Sequence, residues 1–350
     1  MRFGTTFNAG GANSGSYLNP SYAALIEADC DIVVPENELK MPSLRPTEAT
    51  FNFGPADAML AYAESKGIAM RGHNLLWYRP DSYILPSWVI NDKVLAGSDA
   101  AAARARAQQI VVDHITGVAA QYGDRIKSWD VVNEAVDPGT GAVRNNVLAQ
   151  AVGGDTTLLD LAFRTARAKL PNAELVYNDY MDGGTPTHRT GVLDLLKGFK
   201  DRGVPVDTLG VQSHIGFYGL TGSDPINSAI NYNISNMKPF LDAVVAMGYK
   251  IKVTEMDVND VNVPGTNADR DAATAAFAKA WLDLILSYGN SVKDVLFWGM
   301  CDKYSWLQDS AFGSRSDGQP KRPDPYDANF QPKPMRQSII DAFTATTKRS

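Results

Sequence analysis

Short apolar, β-rich runs alternate with longer stretches of helical periodicity along the whole chain. The runs are Phe3–Phe7, Asp31–Val34, Ile68–Leu75, Ile126–Val132, Glu174–Tyr177, Thr208–Ser213, Ile251–Thr254 and Val295–Trp298. Several are apolar at consecutive positions, which fits parallel strands covered on both faces. The stretches between them carry helix signals. Ser98-Asp99 can cap a segment whose Val111, Ile115, Val118 and Tyr122 share one face and which Gly123 ends. Asp269 to Tyr288 repeats the device with Ala273, Phe277, Trp281 and Leu284, closed by Gly289. Eight strand–helix units in 350 residues predict an α/β chain, a single (β/α)8 TIM barrel with one domain over residues 1–350. A doubly wound open sheet is the alternative. It would carry a glycine-rich phosphate turn after its first strand, and Asn8-Ala9-Gly10-Gly11-Ala12 does not read G-x-G-x-x-G.

Polar side chains gather at the ends of these runs. The second run leads into Glu36-Asn37-Glu38-Leu39-Lys40, the third into His73-Asn74-Leu75-Leu76-Trp77, and the fourth into Asn133-Glu134. Asn178-Asp179-Tyr180, Gln212-Ser213-His214 and Glu255-Met256-Asp257 close the next three, and Trp298 closes the last, with Trp306 in the loop beyond. In a barrel the carboxyl ends of the strands are where chemistry sits. Tryptophan and histidine are unexpected in plain solvated loops. His114, mid-helix at a surface or core edge, and His188, in a Gly/Pro/Thr-rich loop, are assigned no role, and Trp281 belongs to the core.

Composition narrows the chemistry. With 44% hydrophobic and 21% charged residues the chain reads as soluble and globular, and 33 basic against 39 acidic residues leave a net charge of −6. An acidic chain without a basic stripe does not attract polyphosphate, so nucleic acid is not an expected partner. No apolar run nears the ~18 residues of a membrane span, so no membrane is expected either. Cys30 and Cys301 cannot build a disulfide framework or a cysteine metal site. The chain passes from Met1-Arg2 straight into its first strand, as a cytoplasmic protein would, or one whose leader has been removed.

No G-x-S-x-G is present, which removes the serine-hydrolase reading, and four histidines without H-x-H or H-E-x-x-H speak against zinc. Two glutamates on separate strands remain, with amides, histidines and aromatic rings. Glycoside hydrolysis needs that inventory: one carboxyl group protonates the departing oxygen and the other attacks or activates water. Sugars offer apolar faces and hydroxyl rims, met by stacked indoles and by amide or imidazole hydrogen bonds.

At these residues the chain resembles glycoside hydrolase family 10, the β-1,4-xylanases. Glu36-Asn37-Glu38-Leu39-Lys40 is similar to the family's E-N-E-M-K, and Gly72-His73-Asn74-Leu75-Leu76-Trp77 to its G-H-T-L-V-W. Trp129-Asp130-Val131-Val132-Asn133-Glu134 matches W-D-V-V-N-E without change. Gln212-Ser213-His214, Val253-Thr254-Glu255-Met256-Asp257-Val258 and the stretch from Trp298 to Trp306 follow in the family's order. The resemblance covers nearly the whole chain. It implies a (β/α)8 retaining endo-β-1,4-xylanase, with Glu134 as general acid/base and Glu255 as nucleophile. The alternatives are a related retaining β-1,4-glycanase acting on another or decorated glycan and a non-catalytic carbohydrate-binding barrel, the latter disfavoured because both glutamates are intact. It further implies that Asn133 grips the 2-hydroxyl of the reacting sugar and that His214 hydrogen-bonds the nucleophile. Glu36, Asn37, Lys40, His73, Trp77 and Gln212 then form the glycone-side set, Trp298 and Trp306 bracket the cleaved sugar, and Tyr180 touches the aglycone side. Asp257 orients its neighbours. Glu134 is expected in an apolar, like-charged setting that favours its protonated form. No metal or organic cofactor is implied, the partner is xylan or a xylo-oligosaccharide, and a monomer, secreted or periplasmic, is expected.

The chain departs from the family in places. After Trp77 the family reads H-S-Q-L-P, whereas this chain reads Tyr78-Arg79-Pro80-Asp81-Ser82-Tyr83-Ile84-Leu85-Pro86. Pro80 replaces the glutamine, Met41 a tryptophan and Met181 an asparagine, and Arg79 places a cation where the family has none. Arg79, or the loop around it, is therefore expected to tune tolerance for a decorated or acidic side group on xylan.

Overall fold

The structure is a computed structural model, and it describes residues 1–81, 83–220 and 222–346. Ser82, within the divergent loop after Trp77, lies outside the described residues. The strands are β1 (Arg2–Phe7), β2 (Ile32–Pro35), β3 (Ala69–Met70), β4 (Gly72–Trp77), β5 (Ser128–Asn133), β6 (Glu174–Asp179), β7 (Thr208–Val211), β8 (His214–Gly216), β9 (Lys250–Asn259) and β10 (Val292–Phe297). Between and after them run α1 (Pro20–Asp29), α2 (Met41–Leu44), α3 (Gly54–Ser65), α4 (Ser87–Ile90), α5 (Ala100–Tyr122), α6 (Val147–Ala151), α7 (Thr157–Lys169), α8 (Pro186–Asp201), α9 (Pro225–Ala246), α10 (Asn267–Leu286) and α11 (Pro334–Ala345). Every strand run read from the sequence is present, with shifted limits.

The helix limits follow from their caps. Asp99 accepts hydrogen bonds from the backbone N–H groups of Ala101 and Ala102, and Gly123 ends α5 at φ 47°. α10 starts before Asp269 because Thr266 is the cap. Its hydroxyl accepts from Asp269 N–H while Asp269 accepts from Thr266 N–H, a reciprocal capping box. None of the described helices is long and apolar enough to cross a membrane, and both cysteines are free and buried.

The described residues group into two compact units. In the first (1–32, 180–186 and 211 onward), β1, β10, β9 and β8 are parallel neighbours, with Arg2 opposite Asp294 and His214 opposite Asp257. Asp294 is buried and anchors this sheet. It accepts from Arg2 Nε at 2.9 Å and pairs with the buried Lys252 Nζ at 2.8 Å. Burial pushes the Asp294 carboxyl up, but Lys252 and Arg2 outweigh it and pull it down to about 2. Trp281 of α10 is in the core, and its Nε1 donates to Ser213 Oγ at 3.0 Å.

In the second unit (33–179 and 187–210), β4, β5 and β6 are parallel neighbours, and every residue of β5 is buried. Such a strand must satisfy its polar members internally. Asp130 does so by pairing with Arg71 and with His73 Nδ1, the latter at 2.8 Å. Gly72 lies so close to Trp129 that a Cβ would stand 2.0 Å from the indole. Two histidine readings are corrected here. His114 is buried, stacked 6.0 Å from Phe51, and burial followed by the Arg45 charge lowers it to about 3, so it is a neutral core residue. His188 is in α8, not a loop, and is buried with Nε2 3.1 Å from Asp179.

Candidate active site

In the first unit the site is built on β9 and β8. Glu255 and Asp257 are two apart on β9, so their side chains leave the same face. The strand run expected as Thr208–Ser213 stops at Val211 because Ser213 takes φ 65°, a left-handed conformation. That turn starts β8 and sets His214 opposite Asp257. His214 then bridges both acids: Nδ1 is 2.7 Å from Asp257 Oδ2 and Nε2 is 3.4 Å from Glu255 Oε2. Burial alone would discharge the imidazole, but Asp257 and then Glu255 outweigh it and raise it to about 10. That direction favours the imidazolium, whose two N–H groups would donate to Asp257 and Glu255. Trp306 Nε1 donates to the same Asp257 oxygen at 2.8 Å, and its ring lies 4.9 Å from the imidazole. Asp257 Oδ2 thus contacts both His214 and Trp306. Gln212 is buried, and its carbonyl accepts from Glu255 N–H at 3.0 Å. Trp298, just past β10, is buried, and its backbone N–H donates to the Met256 carbonyl at 2.9 Å. Tyr180 is half-buried just past β6.

In the second unit the ends of β4, β5 and β6 meet in register, Trp77 opposite Asn133 and Asn133 opposite Asn178. Glu134 follows at φ 55°, another left-handed non-glycine residue, with its N–H donated to the Asn178 carbonyl at 2.8 Å. Such a conformation costs of order 1–3 kcal/mol and persists where surrounding bonds enforce it. Glu134 is buried, and Asn133 Nδ2 lies 3.3 Å from its Oε1, while Asn178 Nδ2 donates to Asn133 Oδ1 at 2.8 Å. Within this unit Glu134 has a cation beside it: Arg79 Nη1 stands 3.6 Å from Glu134 Oε2. Burial weakens the guanidinium's hold on its proton, but Glu134 and Asp81 outweigh that and keep Arg79 above its ordinary value.

Lys40 joins this group, its Nζ 4.7 Å above the Trp77 ring and 2.9 Å from Asn37 Oδ1. Glu36 and Trp77 are half-buried and Asn37 is exposed. His73 is held by Asp130. Thus Glu36, Asn37, Lys40, His73, Trp77, Asn133 and Glu134 belong to the second unit, and Tyr180, Gln212, His214, Glu255, Trp298 and Trp306 to the first. Sequence reasoning missed Arg71 and Asp130, which fix His73, and Asn178, which fixes Asn133. It also missed Tyr83, whose exposed ring meets Trp77 edge-on at 6.4 Å, and Phe312, 4.1 Å from the Trp306 ring. Asp130 and Asn178 lie inside quoted motifs and were within reach. Nothing in the string pointed to Tyr83 or Phe312.

Comparison with known proteins adds an independent line. The chain is 32% identical to "Endo-1,4-beta-xylanase A" of Thermoanaerobacterium saccharolyticum, over 97% of this chain and 27% of that protein. It is also 32% identical to "Exoglucanase XynX" of Acetivibrio thermocellus, over 97% of this chain and 29% of that protein. It therefore spans less than a third of the length of these two curated relatives. The crystal structure of xylanase 10B from Thermotoga petrophila RKU-1 in complex with xylobiose superposes with a TM-score of 0.82 at 27% identity, covering 98% of this chain and 94% of that one. The fold class is accordingly the (β/α)8 barrel read from the strand–helix alternation. The family model described as Glycosyl hydrolase family 10 matches residues 1–342, and the chain belongs to that family.

Proposed function

We propose that this chain is a retaining endo-β-1,4-xylanase, cutting internal xylosidic bonds of xylan or xylo-oligosaccharides by double displacement, with Glu134 as acid/base and Glu255 as nucleophile. The observation that carries the reading is the clamp on Glu255: the His214 imidazole, its Nε2 3.4 Å from Glu255 Oε2, is itself fixed by Asp257 and packs at a tilt against Trp306. A cationic donor favours the ionised carboxylate and aims it, as a nucleophile requires. In the first step Glu134 gives its proton to the glycosidic oxygen as that bond breaks. Glu255 forms an ester with the anomeric carbon. In the second step Glu134 takes a proton from water, the water oxygen attacks the same carbon, and Glu255 leaves as carboxylate. Asn133, held by Asn178 and adjacent to Glu134, suits the 2-hydroxyl of the reacting sugar. Lys40, Asn37 and Trp77 supply the stacking face and polar rim that a neighbouring sugar needs.

The acid/base role has a direct test. Glu134→Ala should lose about 10²–10⁴-fold on xylan, the range general acid catalysis supplies. It should keep far more of its rate on an aryl xylobioside whose leaving group needs no proton. Equal loss on both would contradict the role. A second reading, a β-1,4-glucanase of the same chemistry, is favoured by the name of the exoglucanase relative. Rates on nitrophenyl xylobioside and cellobioside separate the two, and the xylanase reading expects the xylobioside to be faster. A polymeric substrate also argues for action outside the cell, and we propose that the chain acts there as a monomer. Fractionation and light scattering test those two points.

A further inference from the structure

Arg79 is the feature of this site that hydrolysis of a neutral glycan does not require. Its Nε donates to Asp81 Oδ2 at 2.7 Å, its Nη1 stands 3.6 Å from Glu134 Oε2, and 32% of its side chain is exposed. The contact with Glu134 is an ion pair beyond hydrogen-bond reach. A guanidinium carries five N–H donors in one plane, so the Asp81 contact engages only part of the fork.

The charge is also awkward where it stands. The first step needs Glu134 protonated, and a cation beside it favours the ionised form. Neutral hydroxyls gain little from a guanidinium that the amides of Asn37 and Asn133 could not provide. A carboxylate gains much more, because guanidinium and carboxylate planes match in a bidentate, charge-assisted pair. An incoming carboxylate would also compete with Glu134 for the same cation. The substrate would thereby bring the anion that frees the proton donor from its counter-charge.

We infer that Arg79 is the binding site for a carboxylate carried by the substrate, a uronic acid branch on the xylan chain, and that it makes acidic xylan the preferred polymer. This rests on the xylanase reading and names the substrate within it. The test compares kcat/KM on uronate-branched xylan, on the same polymer after reduction of its carboxyl groups, and on unbranched xylan. Wild type should favour the acidic polymer over its reduced form. Arg79→Ala should lower that ratio by about tenfold or more, the lower end of the scale of one charge-assisted contact because the guanidinium is partly exposed. Arg79→Lys should restore part of it, as a point charge without the fork. An unchanged ratio in Arg79→Ala, or a wild-type preference that survives carboxyl reduction, would overturn the inference while leaving the xylanase reading intact. Wild type inactive on unbranched xylan and on both branched polymers would overturn both.

Discussion

His214 is held between two carboxylates that want its charge, and the sign of that interaction can be read in stability. Its folded-state value, about 10, lies above the ordinary 6.5. The stabilisation is therefore complete below about 6.5 and is lost as pH rises through 10. His214→Gln should flatten the alkaline decline of Tm between those limits, and it should lower kcat by about 10- to 100-fold as the charged donor to Glu255 disappears. Thermal melts across pH, with initial rates on xylan, check both. At this scale the sequence was partly legible. Glu134, Glu255, His214 and Trp306 stood out as polar or aromatic residues at strand ends. The left-handed turns at Ser213 and Glu134 did not, because neither residue is a glycine and nothing local marks the conformation. His188 was misread because a loop-like Gly-Thr-Pro-Thr stretch is in fact the entry to α8.

Among the elements, β9 does most to shape the first unit. Its ten residues, Lys250–Asn259, place Glu255 and Asp257 on one face in its second half and Lys252 near its start. Lys252 is buried, and its pairing with Asp294 of β10 couples the two strands. Asp294→Asn should cost about 3 kcal/mol by removing the carboxylate from a buried cation. The Asp294 carboxyl sits near 2 against an ordinary 3.8, so its contribution is present above pH 4 and is lost as pH falls through 2. The variant should lose that acid-side slope in chemical denaturation, while the wild type keeps it. Strand centres were legible from apolar runs and strand ends were not. Ile68–Leu75 reads as one run but breaks at Arg71, a residue turned to pair with Asp130. α10 was placed late because the capping box at Thr266 was overlooked.

For the whole molecule, alternation was the strongest signal. Eight apolar runs separated by helical stretches specify the fold class because consecutive parallel strands need a helix to return the chain. Ordered motifs at the strand ends then specify the family. The loop from Tyr78 to Pro86, which carries Arg79 and Tyr83, lay beyond both signals. The central claim is that Glu255 forms a transient ester with the sugar. Incubation with an aryl 2-deoxy-2-fluoro-xylobioside, which slows the second step, should raise the intact mass by one fluorinated disaccharide. Peptide mapping should find the adduct on Glu255. An adduct on another residue, or none while xylan is cleaved with inversion at the anomeric carbon, would contradict the account.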